Sequence, residues 1–325
     1  MDLSEWESSH LVKVMEQRRI VSLLPSATEI VDFLGLSNEL VGRSHECDFP
    51  LEVQRLPVCT EPKLDPQGSS GEIHGRVTEI LQSALSVYRI RTDVLRKLQP
   101  THILTQSQCE VCAVSLEEVE QAVAELTDCH PQIISLQPQN LADVWADIER
   151  VAEVLGVPAP MEQIHQRVQA CQNVAKLAIA HPTVGCIEWV DPLMAAGNWV
   201  PELVELAGGV SCFGTAGEHS PWLDWKDLQA ADPDVLVIMP CGFDLKRTIH
   251  EAQTLTQHPT WSFLKAVKTG KVYVADGNQY FNRPGPRLVD SLEILTEIFH
   301  TDLFRETFQK DYEGKGWRSL VLANV

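Results

Sequence analysis

Short apolar runs alternate along this chain with helical periodicities, and each run stops at polar or sulfur-bearing side chains. Arg19-Ile-Val-Ser-Leu-Leu24 reads as a buried strand. The Pro25-Ser26-Ala-Thr-Glu29 that follows predicts a helix start with Ser26 as N-cap, Glu29 as its capping-box partner and Gly35 as the stop. Leu40 to Ser44 is the next strand, ending in His45-Glu46-Cys47-Asp48-Phe49-Pro50, and Val58-Cys59-Thr60-Glu61 is a third strand end. Residues 63–74, rich in Gly, Ser, Pro and Asp, read as a surface loop. His102 to Thr105 is a strand running into Gln106-Ser-Gln-Cys-Glu-Val-Cys112, Ser115 with Glu118 is a second capping box, and Gln132 to Leu136 is again a strand.

A long helical stretch then runs from about Asn140 to Ala180 with a break near Gly156 to Pro160, and Trp145, Ile148, Val151 and Leu155 share one face. Beyond it the alternation resumes. Thr183 to Ile187 ends in Glu188 and Trp189, Asp234 to Met239 ends in Pro240-Cys241-Gly242-Phe243, and Lys271 to Ala275 ends in Asp276 through Pro286. The strands at 102 and 234 share a lead-in, a helical phrase closed by Pro100 or Pro233. Strand–helix alternation predicts parallel sheets, and ligands of open α/β sheets sit beyond the carboxyl ends of the strands. The chain therefore predicts an α/β fold of two similar lobes facing one cleft: residues 19–138, a helical connector over 139–181, a second lobe over 182–300 and a charged tail over 301–325.

Length agrees, since 325 residues suit two domains of about 150 each. The formal charge of −19 argues against nucleic acid or anionic membrane as a partner. The first ten residues are polar and acidic and lead into no apolar export segment, and no run approaches the roughly 20 apolar residues of a membrane span. Nine cysteines cannot all pair within one chain, which predicts a reducing compartment. The expected location is the cytoplasm.

Particular residues go further. Ser22-Leu-Leu-Pro-Ser26-Ala-Thr-Glu29 with Gly35-Leu36, then Val41-Gly-Arg-Ser44 with Asp48-Phe49-Pro50, resembles the amino-terminal lobe of the class III solute-binding proteins of ABC importers, of the cobalamin- and iron-siderophore-binding type. The resemblance continues through Glu202 to Gly209, Trp222, the strand at 234–239 and Arg283-Pro-Gly-Pro-Arg287. It implies two Rossmann-like α/β lobes joined by a long backbone helix, a ligand cleft between them, and a haem, siderophore, cobalamin or metal ion as cargo. An importer's membrane subunit is the implied partner if the chain is exported.

The resemblance further implies a cleft lined by Pro25, Ser26, Glu46, Cys47, Thr60, Glu61, Gln108 and Cys109 from one lobe. Glu188, Trp189, Asn198, Trp199, Cys241 to Phe243, and Tyr280 to Arg283 would face them. Trp189, Trp199, Phe243, Tyr280 and Phe281 are the expected aromatic walls for a flat corrinoid such as cobalamin, and Arg283 the expected clamp for an anionic group.

Two features depart from the family. The missing export signal implies either an unusual export route or a cytoplasmic task such as corrinoid storage, delivery or sensing. The sulfur content is the other: His45, Cys47, Cys109, Cys112 and Cys241 have ligand chemistry for zinc or an iron–sulfur centre, with Cys109-x-x-Cys112 at chelating spacing. The alternatives are that these cysteines are small buried hydrophobes or that Cys109 and Cys112 form a redox pair. Phosphate-loop, dinucleotide, serine-hydrolase and zinc-protease signatures are absent. A small-molecule binder is the leading expectation. A cytoplasmic metal- or cysteine-dependent enzyme, using Cys109, His45, Glu46 and Cys241, is the alternative.

Overall fold

The computed structural model describes residues 17–82, 87–107, 114–126 and 129–320. The first lobe runs β1 (Ile20–Ser22), α1 (Pro25–Phe33), β2 (Leu40–Arg43), β3 (Thr60–Pro62), α2 (Ser70–Leu81), β4 (Tyr88–Ile90), α3 (Thr92–Leu98), β5 (His102–Gln106), α4 (Leu116–Ala124) and β6 (Gln132–Leu136). Its main sheet is parallel in the order β2-β1-β5-β6, while β3 and β4 pair antiparallel beside it. Alternate residues of the central strands feed two cores. Ile20 and Leu104 pack with α1 on one face, and Val21 and Ile103 pack with Leu95 and Val119 on the other. Burial on both faces explains why these strands read as continuous apolar runs.

The second lobe runs β7 (Thr183–Trp189), β8 (Met194–Ala195), α7 (Val200–Leu206), β9 (Val210–Ser211), α8 (Trp225–Ala231), β10 (Val235–Ile238), α9 (Leu245–Thr256), α10 (Lys265–Lys268), β11 (Val272–Ala275), α11 (Leu288–Phe299), α12 (Thr301–Phe308) and β12 (Trp317–Ser319) after two connecting helices. The first connector is α5 (Leu141–Leu155) and the second is α6 (Met161–Leu177). Strand order is β12-β11-β10-β7-β8, with β9 also on β7. The repeated lead-in is confirmed in geometry. Helix α3 ends on Gln99 and α8 on Asp232, both left-handed (φ 47° and 40°), each followed by a proline and then by an inner strand of its sheet.

One expectation changes. The segment after residue 300 is part of the second lobe, because β12 pairs antiparallel with β11 and the buried Glu297 accepts hydrogen bonds from the Trp317 indole and the Tyr312 amide, both at 2.8 Å. The connector is a pair of helices divided at the break expected near Gly156 to Pro160. The first is capped by Asn140 and Asp143 and closes on Gly156 in the left-handed region, φ 67°, where a side chain would be strained. Its start, Leu141 and Val144, lies in the second-lobe core and its end, Ile148 to Leu155, in the first. The second connector runs back, from Met161 and Ile164 in the first core to Cys171 in the second. Glu202 of α7 fixes the start of the first connector by accepting from the Leu141 amide at 2.7 Å.

Candidate ligand-binding cleft

The lobes meet where β1 gives way to α1. The capping box expected there does not form: Leu24 is the N-cap without a side-chain bond, and Pro25 already occupies the first helical turn. Ser26 lies inside the helix, buried, with its hydroxyl unpartnered. Glu29 reaches across to the second lobe instead, accepting from Arg283 at 3.0 Å and Arg287 at 3.3 Å. Asp48 takes the same Arg283 in a two-pronged contact of 2.6 and 3.2 Å and accepts from Asn278 at 3.0 Å. Arg283 is only 6% exposed and its fork is filled by protein carboxylates, so it joins the lobes and is not open as a ligand clamp. Burial pushes the Glu29 carboxyl up to about 7 against the pull of both guanidiniums.

The loop after β2 carries the first-lobe polar groups. His45 holds its Nδ1 2.8 Å from the buried Thr60 hydroxyl, and burial lowers its pKa to about 4, so the imidazole is neutral. Glu46 accepts from the Tyr88 hydroxyl at 2.6 Å, and burial pushes its pKa upward. Cys47 is buried under the Thr28 hydroxyl, 3.0 Å away, and burial pushes its thiol up to about 11. It is packed in the first-lobe core at 1% exposure. Glu61 points along the hairpin to Arg89 of β4. Gln108, Cys109 and Cys112 lie outside the described residues. Among the described residues no group of three or more His, Cys, Asp or Glu side chains is placed to hold a metal ion, so His45, Cys47 and Cys241 do not form a centre by themselves.

From the second lobe, Glu188 ends β7 and accepts from Ser220 at 2.8 Å, and burial pushes it upward too. Trp189 is half-buried and donates its indole N–H to the Asp191 carbonyl at 3.0 Å. Its ring meets Phe243 at 5.3 Å and 55°, and the Arg247 guanidinium lies 3.7 Å from the Phe243 centroid. Cys241 is half-buried beside them, its amide bonded to the Glu188 carbonyl. Three expected walls are buried, Phe243 among them at 2% exposure behind Trp189. Trp199 is 6% exposed and gives its N–H to the Phe281 carbonyl at 2.6 Å, while Phe281 is fully buried among Leu288, Leu292 and Trp317. Asn198 sits beside them at φ 51° with its side-chain oxygen buried and unpartnered. Tyr280 is half-buried against Arg287 and Tyr312.

Other residues of the junction escaped the sequence. Helix α2 begins inside the stretch read as loop; its first turn meets the second lobe at Glu251 and Asp191, and the Gly68 carbonyl just before it accepts from Arg247. The signal was present: Ser69 and Glu72 form a capping box with both reciprocal bonds made. Asp48 and Asn278 had no local signal.

The profile of the periplasmic binding protein family matches residues 20–278. The chain belongs to this family. As a periplasmic binding protein it is similar to an uncharacterized ABC transporter substrate-binding lipoprotein of Bacillus subtilis, 23% identical over 90% of this chain and 82% of that one. It is similar to a vitamin B12-binding protein of Vibrio cholerae at 23% identity, over 88% of this chain and 90% of the relative. Among solved structures, the periplasmic heme-binding protein of Roseiflexus superposes at a TM-score of 0.65 with 23% identity, covering 88% of this chain and 99% of that one. The periplasmic vitamin B12 binding protein of Vibrio cholerae superposes at 0.59 with 19% identity, covering 91% and 98%. The family fold of two α/β lobes is thereby shared.

Proposed function

We propose that this periplasmic-binding-protein chain binds a corrinoid of the cobalamin type, or a closely related metal chelate, in the cleft between its lobes. The observation that carries the reading is the half-buried Trp189 ring at the end of β7, backed by the buried Phe243 ring, with Glu188 next to it in the chain and Glu46 on the loop after β2. A flat macrocycle gains from such a wall. Burial pushes both carboxyls toward the protonated form, which donates to amide carbonyls. Among the described residues, Arg43, Arg247, Arg283 and Arg287 already hold carbonyl or carboxylate partners in the protein. A ligand rich in amides suits these groups better than one rich in carboxylates, and the similarity to vitamin B12-binding proteins supports the same choice. Titration with cyanocobalamin, followed by tryptophan fluorescence, tests the reading. Saturable quenching is expected, and its absence would remove cobalamin as the ligand.

We further propose that the chain works in a reducing compartment. Among the described residues Cys47, Cys59, Cys171 and Cys186 are free, buried thiols, which supports this placement. Cell fractionation decides: recovery in the cytoplasm agrees, whereas recovery of a trimmed, exported form would favour delivery of ligand to the membrane subunit of an ABC importer.

A further inference from the structure

Residues 63–82 leave the first lobe between β3 and β4 and return to it, yet they are fastened mainly elsewhere. The base of the excursion is closed by the Lys63 amide on the Val87 carbonyl at 2.7 Å, and by the Lys63 ammonium on Glu118 at the same distance. Beyond that base, none of the four apolar clusters of described residues includes a residue of α2, and Ser70 is the one buried side chain in the helix.

The second lobe holds this excursion at three points. Glu251 of α9, itself 4% exposed, accepts from both the amide and the hydroxyl of Ser70, the amide at 2.7 Å, and so satisfies the first turn of α2 from the opposite lobe. Arg247 donates to the Gly68 carbonyl at 2.8 Å. His74 meets the ring of Trp222 edge-on at 5.3 Å. The fit is close: a β-carbon on Gly71 would lie 2.5 Å from an Asp191 carboxylate oxygen. Arg247 is shared, since its guanidinium also lies over Phe243 of the aromatic wall.

We propose that residues 63–82 are a strap latched across the mouth of the cleft by Glu251 and Arg247, which opens as a unit while the rest of both lobes stays folded. Among the described residues α2 contributes to neither core, and its first turn is seated by the opposite lobe, so its local opening lies well below global unfolding. That opening admits ligand, a consequence that rests on the binding reading above.

Two variants test the latch from opposite sides, Glu251→Ala removing the acceptor and Gly71→Val filling the space before Asp191. Amide hydrogen exchange is measured on the unliganded protein and each variant. Loss of a charged acceptor for two donors should lower protection of the α2 amides by about ten-fold or more, with β5 and β10 unchanged. Stopped-flow with cyanocobalamin should show its dissociation accelerated by a similar factor in both variants. Unchanged α2 protection in both variants would overturn the latch, and lost protection with unchanged dissociation would overturn the gating. If wild-type protein does not bind cyanocobalamin, the ligand reading fails alone, and the exchange result still decides whether the strap is latched.

Discussion

Arg283 and Asp48, separated by 235 positions in the chain, meet at 2.6 Å and tie the second lobe to the loop after β2. The same guanidinium reaches Glu29, so one buried cation answers two carboxylates of the other lobe. Such a group is costly to remove, because its partners stay behind without their countercharge.

Arg283→Met should therefore lower stability by about 3 kcal/mol or more, read from urea unfolding at neutral pH. A loss under about 1 kcal/mol would mean that the carboxylates find water instead of staying buried.

Glu29 makes stability depend on pH in a definite direction. Its carboxyl is raised from an ordinary 4.5 to about 7 by burial, so the folded protein holds this proton more tightly than the unfolded chain. Its contribution is complete below pH 4.5, is lost as pH rises from 4.5 to 7, and is level above that. Glu29→Gln should flatten this part of the profile in unfolding measurements at pH 5 and pH 8. Asp48, held below its ordinary value by Arg283 although burial opposes it, acts oppositely, losing its contribution only as pH falls through the acid range.

The two tryptophans once equal in expectation should separate. Trp199→Ala removes a core ring and an indole hydrogen bond, which should cost about 3 kcal/mol or more in thermal or urea unfolding. Trp189→Ala should leave stability nearly unchanged and weaken cyanocobalamin binding by about 1 kcal/mol. Equal stability losses in both would contradict the assignment.

Cys47 should behave as a packed thiol. With its pKa pushed up to about 11, it should resist iodoacetamide at pH 7.5 in native protein and react only after unfolding. Cys47→Ser should leave the metal content of the purified protein unaltered; a loss of bound zinc or iron in that variant would restore Cys47 as a ligand.

The sheets and their order of appearance were legible because strands buried on both faces leave unbroken apolar runs, as at Val235 to Ile238. The helix start at Ser115 was legible through its cap, which accepts from the Glu118 amide. The same signal misled at Ser26, where the reciprocal glutamate serves a distant arginine, and it went unread at Ser69 amid glycines and prolines. Side-chain direction was the harder limit. Periodicity marks Trp199 and Phe281 as apolar and aromatic, but only the packed lobe decides that they face inward. Contacts such as Asp48 with Arg283 have no trace in local sequence.

The two connecting helices run in opposite directions between the same two cores. A single rod would let one lobe swivel about the rod's axis, whereas two spans anchored in both cores oppose that swivel, with Trp145 and Val168 each touching both cores. Torsional stiffness at the back of the molecule leaves compliance to its front edge, so ligand traffic should depend on a small moving part and little on wholesale rotation of the halves.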